Sequence, residues 1–418
     1  MKKTLLTICL VWMCFSLSAQ KIIDLSGKWS FSIDRQDNGE KEKWFSHTLN
    51  DFINLPGSMP EKLKGDEVTA KTQWTGSLYD SSYYYNPYME KYRKEGNIKF
   101  PFFLTPDKHY VGAAWYQKEV NIPADWKGER ILLFLERPHI ETTVWVNGQK
   151  TGMQNSLCVP HQYDITRYVR PGKCTITIRV DNRIKEINVG PDSHSITDQT
   201  QGNWNGIVGR ICLQTTPKTY FDDIQIYPEP EQKLARVKVV IKGTGTAKVK
   251  LSAESFNTDK KHIVPAIQQE IKLNKGVTET EMVLPMGNDM LLWDEFHPAL
   301  YKLKAEVTNG KKTEIKEIQF GIRRFEIKGK WFYVNGRKTQ LRGTVENCDF
   351  PLTGYAPMDV ESWERVFRIC RSYGLNHMRF HSFCPPEAAF MAADRVGFYL
   401  QPEGPSWPNH GPKLGLGQ

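Results

Sequence analysis

From Leu25 to about Lys218 the apolar positions fall into short alternating runs bounded by Gly, Pro and Asn: "LSGKWSFSID" (25–34), "RILLFLER" (130–137), "TTVWVNGQKTG" (142–152) and "CTITIRVDNR" (174–183). Alternation with a period of two predicts strands that bury one face. In the third run Val144 and Val146 alternate with Trp145, and Asn147-Gly148 is a strong two-residue hairpin signal. Residues 20–218 are therefore expected to form a jelly-roll-like β-sandwich.

A second series of alternating runs follows in "RVKVVIKG" (236–243), "AKVKLSAESF" (247–256), "TETEMVLPM" (278–286), "YKLKAEVTNG" (301–310) and "KTEIKEIQFGIR" (312–323). Strands at this spacing suit an immunoglobulin-like sandwich, placed at 219–322.

The period changes after a hairpin at "WFYVNGRKTQLRGTV" (331–345), centred on Asn335-Gly336. Asp359 is placed to cap a helix that puts Val360, Trp363, Phe367 and Cys370 on one face and stops at Gly374. "HMRFHS" is then a strand. Pro385 and Pro386 open a second helix carrying Phe390, Ala393 and Val396, Gly397 closes it, and "FYLQPE" is another strand. Strand–helix–strand–helix–strand predicts the opening of a parallel α/β barrel or a doubly wound sheet. A closed (β/α)8 barrel takes roughly 250 residues, so 323–418 is expected to hold about three strands of an incomplete barrel, and the chain to be a truncated copy of something longer.

A multidomain reading agrees with 418 residues, because one hydrophobic core rarely grows past roughly 250–300. The first residues, "MKKTLLTICLVWMCFSLSAQ", put Lys2 and Lys3 before an apolar run from Leu5 to Leu17 and small residues at Ser18 and Ala19. That is the layout of an export signal covering 1–19, and the run is too short to span a membrane. An exported, periplasmic or extracellular protein is expected. Six cysteines remain outside the signal (Cys158, Cys174, Cys212, Cys348, Cys370, Cys384), at spacings that resemble neither a disulfide framework nor a zinc site. They are expected to be buried thiols, although an oxidising compartment would permit pairing. The formal charge of +9 is dispersed; nucleic-acid binding wants a clustered basic face, so none is expected.

Several stretches resemble glycoside hydrolase family 2, the β-galactosidase and β-glucuronidase group. "LSGKWSF" is similar to the family's opening strand, "AAWYQKEVNIPADWKGERILLFLERPHIETTVWVNGQKTG" to the most recognisable part of its sugar-binding domain, and "WNGIVGRICL" to that domain's closing segment. "LLWDEFHPALYKL" is similar to a signature late in the middle domain, and "FYVNGRKTQLRG" to the start of the barrel. The resemblance covers nearly all of the chain beyond residue 19 and implies a retaining glycosidase acting on oligo- or polysaccharides. Such an enzyme uses one carboxylic acid to protonate the leaving oxygen and a second carboxylate, about 5–5.5 Å away, as nucleophile. The family places its acid/base in an Asn-Glu pair after the fourth barrel strand. No Asn-Glu pair occurs in 323–418, so no catalytic residue is assigned and the chain alone is expected to be inactive.

The resemblance also implies positions that touch sugar. Functional groups of a barrel sit at the C-terminal ends of its strands, which selects Arg379, His381 and Glu403; Glu403 can equally be a solvated partner of Arg379. The family pattern Arg-x-Ser-His-x-Pro is altered here to "RFHSFCP", with the histidine one place early. Asn347 and Asp349 stand where β-galactosidases carry histidines, which puts galactose specificity in doubt. In "TDQTQGNWNGIVGR" (197–210), similar to the loop that reaches toward the barrel, Asp198 can accept from sugar hydroxyls, and Trp204 can stack on a pyranose or pack under a loop. His410 precedes Gly411 as in magnesium-binding relatives, but the preceding glutamate is missing; no metal and no cofactor are expected.

The long aromatic stretch at 72–112 is unusual for a loop. Trp74, Tyr79 and Tyr83 through Tyr85 are candidates for a substrate rim or for an aromatic clamp between sandwich and barrel. The competing overall reading is a non-catalytic, lectin-like carbohydrate-binding protein, and no internal repeats favour a purely adhesive role.

Overall fold

The structure is a computed structural model that describes residues 20–73, 75, 85–99, 102–185, 193–198 and 200–405. In the first unit the predicted alternation becomes two antiparallel sheets. One has five strands, running Ile22–Asp24, Gly206–Thr216, Arg130–His139 and His161–Asp164, with Gly57–Ser58 also paired to Gly206–Thr216. The other has six, in the order Gln149–Asn155, Glu141–Val146, Gly172–Asp181, Ala113–Ile122, Gly27–Asp34 and Asp51–Leu55. Trp29, Tyr116, Val144, Val146, Ile176 and Ile178 from the six-stranded sheet meet Leu133, Leu135, Ile211 and Leu213 of the other in one dry core.

The hairpin signal is realised literally. Asn147 and Gly148 both have positive φ (50° and 77°), the pairing that a type I′ turn requires, and Gln149 pairs with Val146. Trp145 points to the opposite face from its two valines, yet it is also buried. It lies 5.0 Å from Trp115 and stacks on Phe45 at 5.2 Å, so the 44–49 segment covers this outer face.

The second unit is also all antiparallel, but its strands are longer than the sequence suggests. The runs at 236–243 and 247–256 belong to one 23-residue strand, Leu234–Phe256, and a second strand of 23 residues, Ile263–Pro285, follows it. Their pairing shifts register between Gly243 and Gly245. A Cβ on Gly243 would lie 2.5 Å from the Thr219 hydroxyl, so glycine is needed for the strand to bend there. The bend brings Val237, Val239 and Ile241 into one core with Val249, Leu251, Leu303 and Ala305. Tyr220–Glu229, Leu300–Asn309 and Lys312–Phe320 complete the sheet.

The last unit begins with a three-stranded antiparallel sheet, Phe325–Lys328, Trp331–Val334 and Arg337–Thr339. Three parallel strands follow: Gly343–Glu346, His377–Phe380 and Tyr399–Gln401. Helix α1 (Val360–Ser372) and helix α2 (Glu387–Val396) connect them. What the described residues show is this small parallel sheet with two helices rather than a closed barrel. Asp359 caps α1 by accepting from the Ser362 N–H at 2.8 Å, and Trp363 and Phe367 are buried against Phe380 and Phe398. One expectation is corrected in α2: Phe390 is 37% exposed, and the buried face is Ala388, Ala389, Ala392, Ala393 and Val396. Small side chains let this helix lie close to the sheet; a phenylalanine on that face would hold it away. No described helix is long and apolar enough to cross a membrane.

The "LLWDEFHPALYKL" segment is where the second unit grips the third. Trp293 Nε1 donates to Asp394 O at 2.7 Å, Arg371 donates to Glu295 O at 2.6 Å, and the buried Glu295 carboxylate accepts from Asn376 Nδ2. Gly397 (φ 76°) lies so near Glu295 that an added Cβ would fall 2.7 Å from its carbonyl oxygen. Glu295→Ala leaves the Asn376 amide without this charged partner in the interior, and the cost of such a loss is about 1–3 kcal/mol. Limited proteolysis is expected to cut this variant faster around residues 321–330 than the parent; equal cutting rates would show that the grip contributes little.

Candidate functional site

The C-terminal ends of the parallel strands gather a compact polar cluster. Arg379 lies within the His377–Phe380 strand, His381 follows it, and Glu403 lies just beyond Tyr399–Gln401. Arg379 Nε donates to Glu403 Oε1 at 2.6 Å, and Arg379 Nη2 lies 3.1 Å from His381 Nδ1. The same Nδ1 lies 3.6 Å from Glu403 Oε2, so one imidazole nitrogen faces both the guanidinium and the carboxylate. Ser382 adopts a left-handed φ of 61° and turns its backbone N–H onto Glu403 Oε2 at 2.8 Å. Desolvation alone would raise the Glu403 carboxyl, but the Ser382 and Arg379 hydrogen bonds and the Arg379 charge outweigh it and hold the group below the usual glutamate range.

The first sandwich reaches this cluster through residues 193–205. Gln201 Nε2 donates to His381 O at 2.6 Å, and the His194 ring lies 4.8 Å from that of His381. Burial, followed by the neighbouring His381, lowers His194 to about 4, so it is neutral at physiological pH. A buried amide lattice fixes the approach of this segment. Asn205 accepts from Tyr116 OH at 2.7 Å and donates to Gly112 O and Val180 O. Asn203 accepts from His139 Nε2 at 3.0 Å and donates to Asn182 O, while Asn182 accepts from Gly112 N. Gly206 (φ 149°) must be glycine, because a Cβ would lie 2.4 Å from Gly57 O.

The structure therefore brings together Arg379, His381 and Glu403, with the His381 N–H bonded to Glu346 O beside Asn347 at 2.8 Å, and engages Asp198 and Trp204 elsewhere. Asp198 is 1% exposed; its carboxylate accepts from Thr75 N at 2.5 Å and faces His109 Nε2 at 3.3 Å. Its carboxylate is thus engaged by protein partners inside the sandwich. Trp204 is 6% exposed, stacked on His139 at 4.5 Å and beside Tyr355 at 5.6 Å. Of its two expected roles, packing under a loop is the one seen. Asn347 is half-buried after the first parallel strand, and its side chain hydrogen-bonds to Asp349. Trp74, Tyr79, Tyr83, Tyr84 and His410 lie outside the described residues, as do residues 1–19; Tyr85 is 83% exposed.

Gln201 and His194 escaped the sequence reading. Gln201 stands within the quoted 197–210 segment, but nothing local distinguishes its amide from those of Gln199 or Asn203. A cavity of about 60 Å³ among Gln201, Trp204, Cys348 and Tyr355 is too small for a pyranose. A recess of about 740 Å³ between Arg210, Asp349, Leu352 and Met358 is large enough, but none of Arg379, His381 and Glu403 lines it. Among the described residues no group of three or more His, Cys, Asp or Glu side chains is placed to hold a metal ion.

At the end of the first parallel strand the electrostatics run the other way. Burial, with the Asp349 carboxyl adding to it, raises Glu346 above the ordinary glutamate value, and burial raises Asp349. Because the folded form holds the Glu346 proton more tightly than the unfolded chain, ionisation costs stability as pH rises above about 4.5. Glu346→Gln keeps an oxygen for the Cys348 N–H, which now bonds Oε1 at 2.8 Å. This variant is expected to be more stable than the parent to denaturant at pH 7 and indistinguishable below pH 4.5. A gain that persisted at pH 4 would refute a protonation origin.

Comparison with known proteins agrees with this architecture. The family profile "Glycosyl hydrolases family 2, sugar binding domain" matches residues 22–217, and "Glycosyl hydrolases family 2" matches 219–323. A β-glucuronidase of Paenibacillus borealis is 24% identical over 93% of this chain and 59% of its own, and human β-glucuronidase is 24% identical over 91% and 57%. A β-galactosidase of Thermoanaerobacter pseudethanolicus is 25% identical over 75% of this chain and 42% of its own. This chain thus spans about half the length of these curated relatives. Among solved structures, Ruminococcus gnavus β-glucuronidase superposes with a TM-score of 0.68 at 20% identity, over 92% of this chain and 59% of that one. A family 2 member from Bacteroides cellulosilyticus does so at 0.65 and 20%, over 92% and 47%. With its sugar-binding sandwich and the domain after it both matched, the chain belongs to glycoside hydrolase family 2.

Proposed function

We propose that this chain is the sugar-binding and substrate-positioning front of an exported, retaining exo-β-glycosidase that hydrolyses O-glycosyl bonds in carbohydrate breakdown, with its parallel unit opening a (β/α)8 barrel. The observation that carries this reading is the Arg379–His381–Glu403 cluster at the carboxyl ends of parallel strands, with Gln201 of the sandwich bonded to its backbone. A guanidinium, an imidazole and a carboxylate held below the usual glutamate range are the donors and acceptors that a ring of sugar hydroxyls needs. Their role is orientation, and a fixed pose can account for several powers of ten in rate.

The bond-breaking step needs a proton donor and a nucleophilic carboxylate, and neither role is assigned to a residue of this chain. Glucuronides and galactosides are the substrates to try first, because they are the sugars named by the relatives. The departures at Asn347, Asp349 and His381 weigh against a galactoside. Export rests on the charged, apolar and small-residue layout of 1–19.

Aryl β-glucuronides and β-galactosides should be assayed with this chain and with the longest polypeptide that contains it. Hydrolysis with retained anomeric configuration is expected from the longer protein, and Arg379→Ala and Glu403→Gln should each lower its kcat/KM by about 100-fold. Sugar binding without hydrolysis by any such protein would instead favour the lectin-like reading. N-terminal sequencing of the exported protein is expected to begin at Gln20; an intact Met1 in a cytoplasmic product would overturn export.

A further inference from the structure

Three cysteines from distant parts of the chain converge on one guanidinium. Arg137, near the end of the Arg130–His139 strand, donates Nη1 to Cys384 O at 3.0 Å and Nη2 to Cys158 O at 3.2 Å. One planar fork thus clamps the backbone of the 156–160 connection in the sandwich to the backbone that follows the second parallel strand. The Cys384 backbone N–H and thiol are both near enough to the Cys158 thiol to act on its protonation. Both cysteines are half-buried and, in this structure, free thiols. Two cysteine backbones held by one guanidinium are neighbours across the two units, and a short Cα–Cα span is what a disulfide demands.

We propose that Cys158 and Cys384 form a reversible disulfide that staples the sugar-binding sandwich to the loop bearing His381. The geometry is the basis, and the inference stands whether or not the glycosidase reading does. With oxidised glutathione as oxidant, the Cys384 thiolate attacks one sulfur of the small disulfide and expels one glutathione thiolate. The Cys158 thiolate then attacks the Cys384 sulfur of the mixed disulfide and expels the second. Two protein thiols are oxidised, one small disulfide is reduced to two thiols, and the two protons leave with the glutathione.

The surroundings also select the pair and set its rate. Burial raises the Cys158 and Cys384 thiols, and the Arg137 charge pulls both part of the way back. Cys348 also senses Arg137, but burial and the Glu346 and Asp349 carboxyls push it far higher, so it is the poorest nucleophile of the three. Cys174 and Cys212 are buried in the first sandwich. Crosslinking is therefore slow at neutral pH and faster in mild alkali, and it is confined to one pair.

The test is oxidised glutathione on the folded chain at pH 7 and pH 9, alkylation of remaining thiols, and non-reducing digestion with mass spectrometry. The expected product is a linked Cys158–Cys384 peptide pair, lighter by two hydrogens than its reduced parts, forming at least tenfold faster at pH 9. Cys384→Ser should abolish it and Cys370→Ser should leave it unchanged. Chains cut around residues 321–330 should run as one band without reductant and as two with it. Full alkylation of both cysteines after oxidant, glutathione adducts that never resolve, or a Cys158–Cys348 link would each overturn the proposal. The parent-chain digestion decides the matter even if a serine variant fails to fold.

Discussion

A buried amide is tolerated only when its donors and acceptors are met, because an orphaned polar group in the interior costs as much as several good contacts return. That rule fixes the position of residues 197–205. Asn182, Asn203 and Asn205 bind one another's strands through six backbone and side-chain hydrogen bonds across the edge of the first sandwich. None can slide by one residue without opening several bonds at once. The segment they hold carries Gln201 to the end of the second parallel strand and Trp204 under the 353–356 loop. The position of the candidate site is thus set by a lattice of protein amides beneath it.

On top of that scaffold the strand ends split into two electrostatic zones. Around Glu403, an N–H and a guanidinium meet the carboxylate and keep it anionic. Around Glu346 and Asp349, burial brings carboxyls together without a comparable cation, and both hold their protons more tightly. Charge state follows from partners rather than from residue type. The two zones thus shift carboxyls of the same chemistry in opposite directions.

Sequence patterning located the three units because each uses a periodicity that burial imposes. Alternation gave the strands around Val144 and Ile176, and the 3.6-residue period gave α1 with Trp363 and Phe367. Pattern is a poor guide where three-dimensional context decides. Gly243 looked like a strand terminus but proved a bend within a longer strand, since a glycine gap reads the same in both cases. Phe390 is large and apolar and falls among the apolar positions of α2, yet the face buried by the close approach of that helix is four alanines and Val396. For the site, Arg379, His381 and Glu403 were legible because a strand end is a position that can be counted. Asp198 and Trp204 lie in the same short loop as Gln201, and which of the three faces outward is set by partners such as His109 and His139, far away in sequence.

The contacts that join the units have a shared character that sequence cannot display. Gln201 reaches His381 O, Arg137 reaches Cys384 O, Ser58 reaches Thr353 O, Trp293 reaches Asp394 O, and Arg371 reaches Glu295 O. Each is a side-chain donor landing on a backbone oxygen at the end of a strand, loop or helix. Such an acceptor is present whatever residue occupies the position, and the last carbonyls of a helix need an external partner in any case. Docking is thereby separated from chemistry: side chains at the strand ends can turn toward a substrate while the backbone beneath them holds the units together. The exposed Arg210–Glu387 ion pair, at 63% and 67% side-chain exposure, contributes little to that hold, as exposed pairs generally do. The rigidity of the site comes from the carbonyl contacts beneath it.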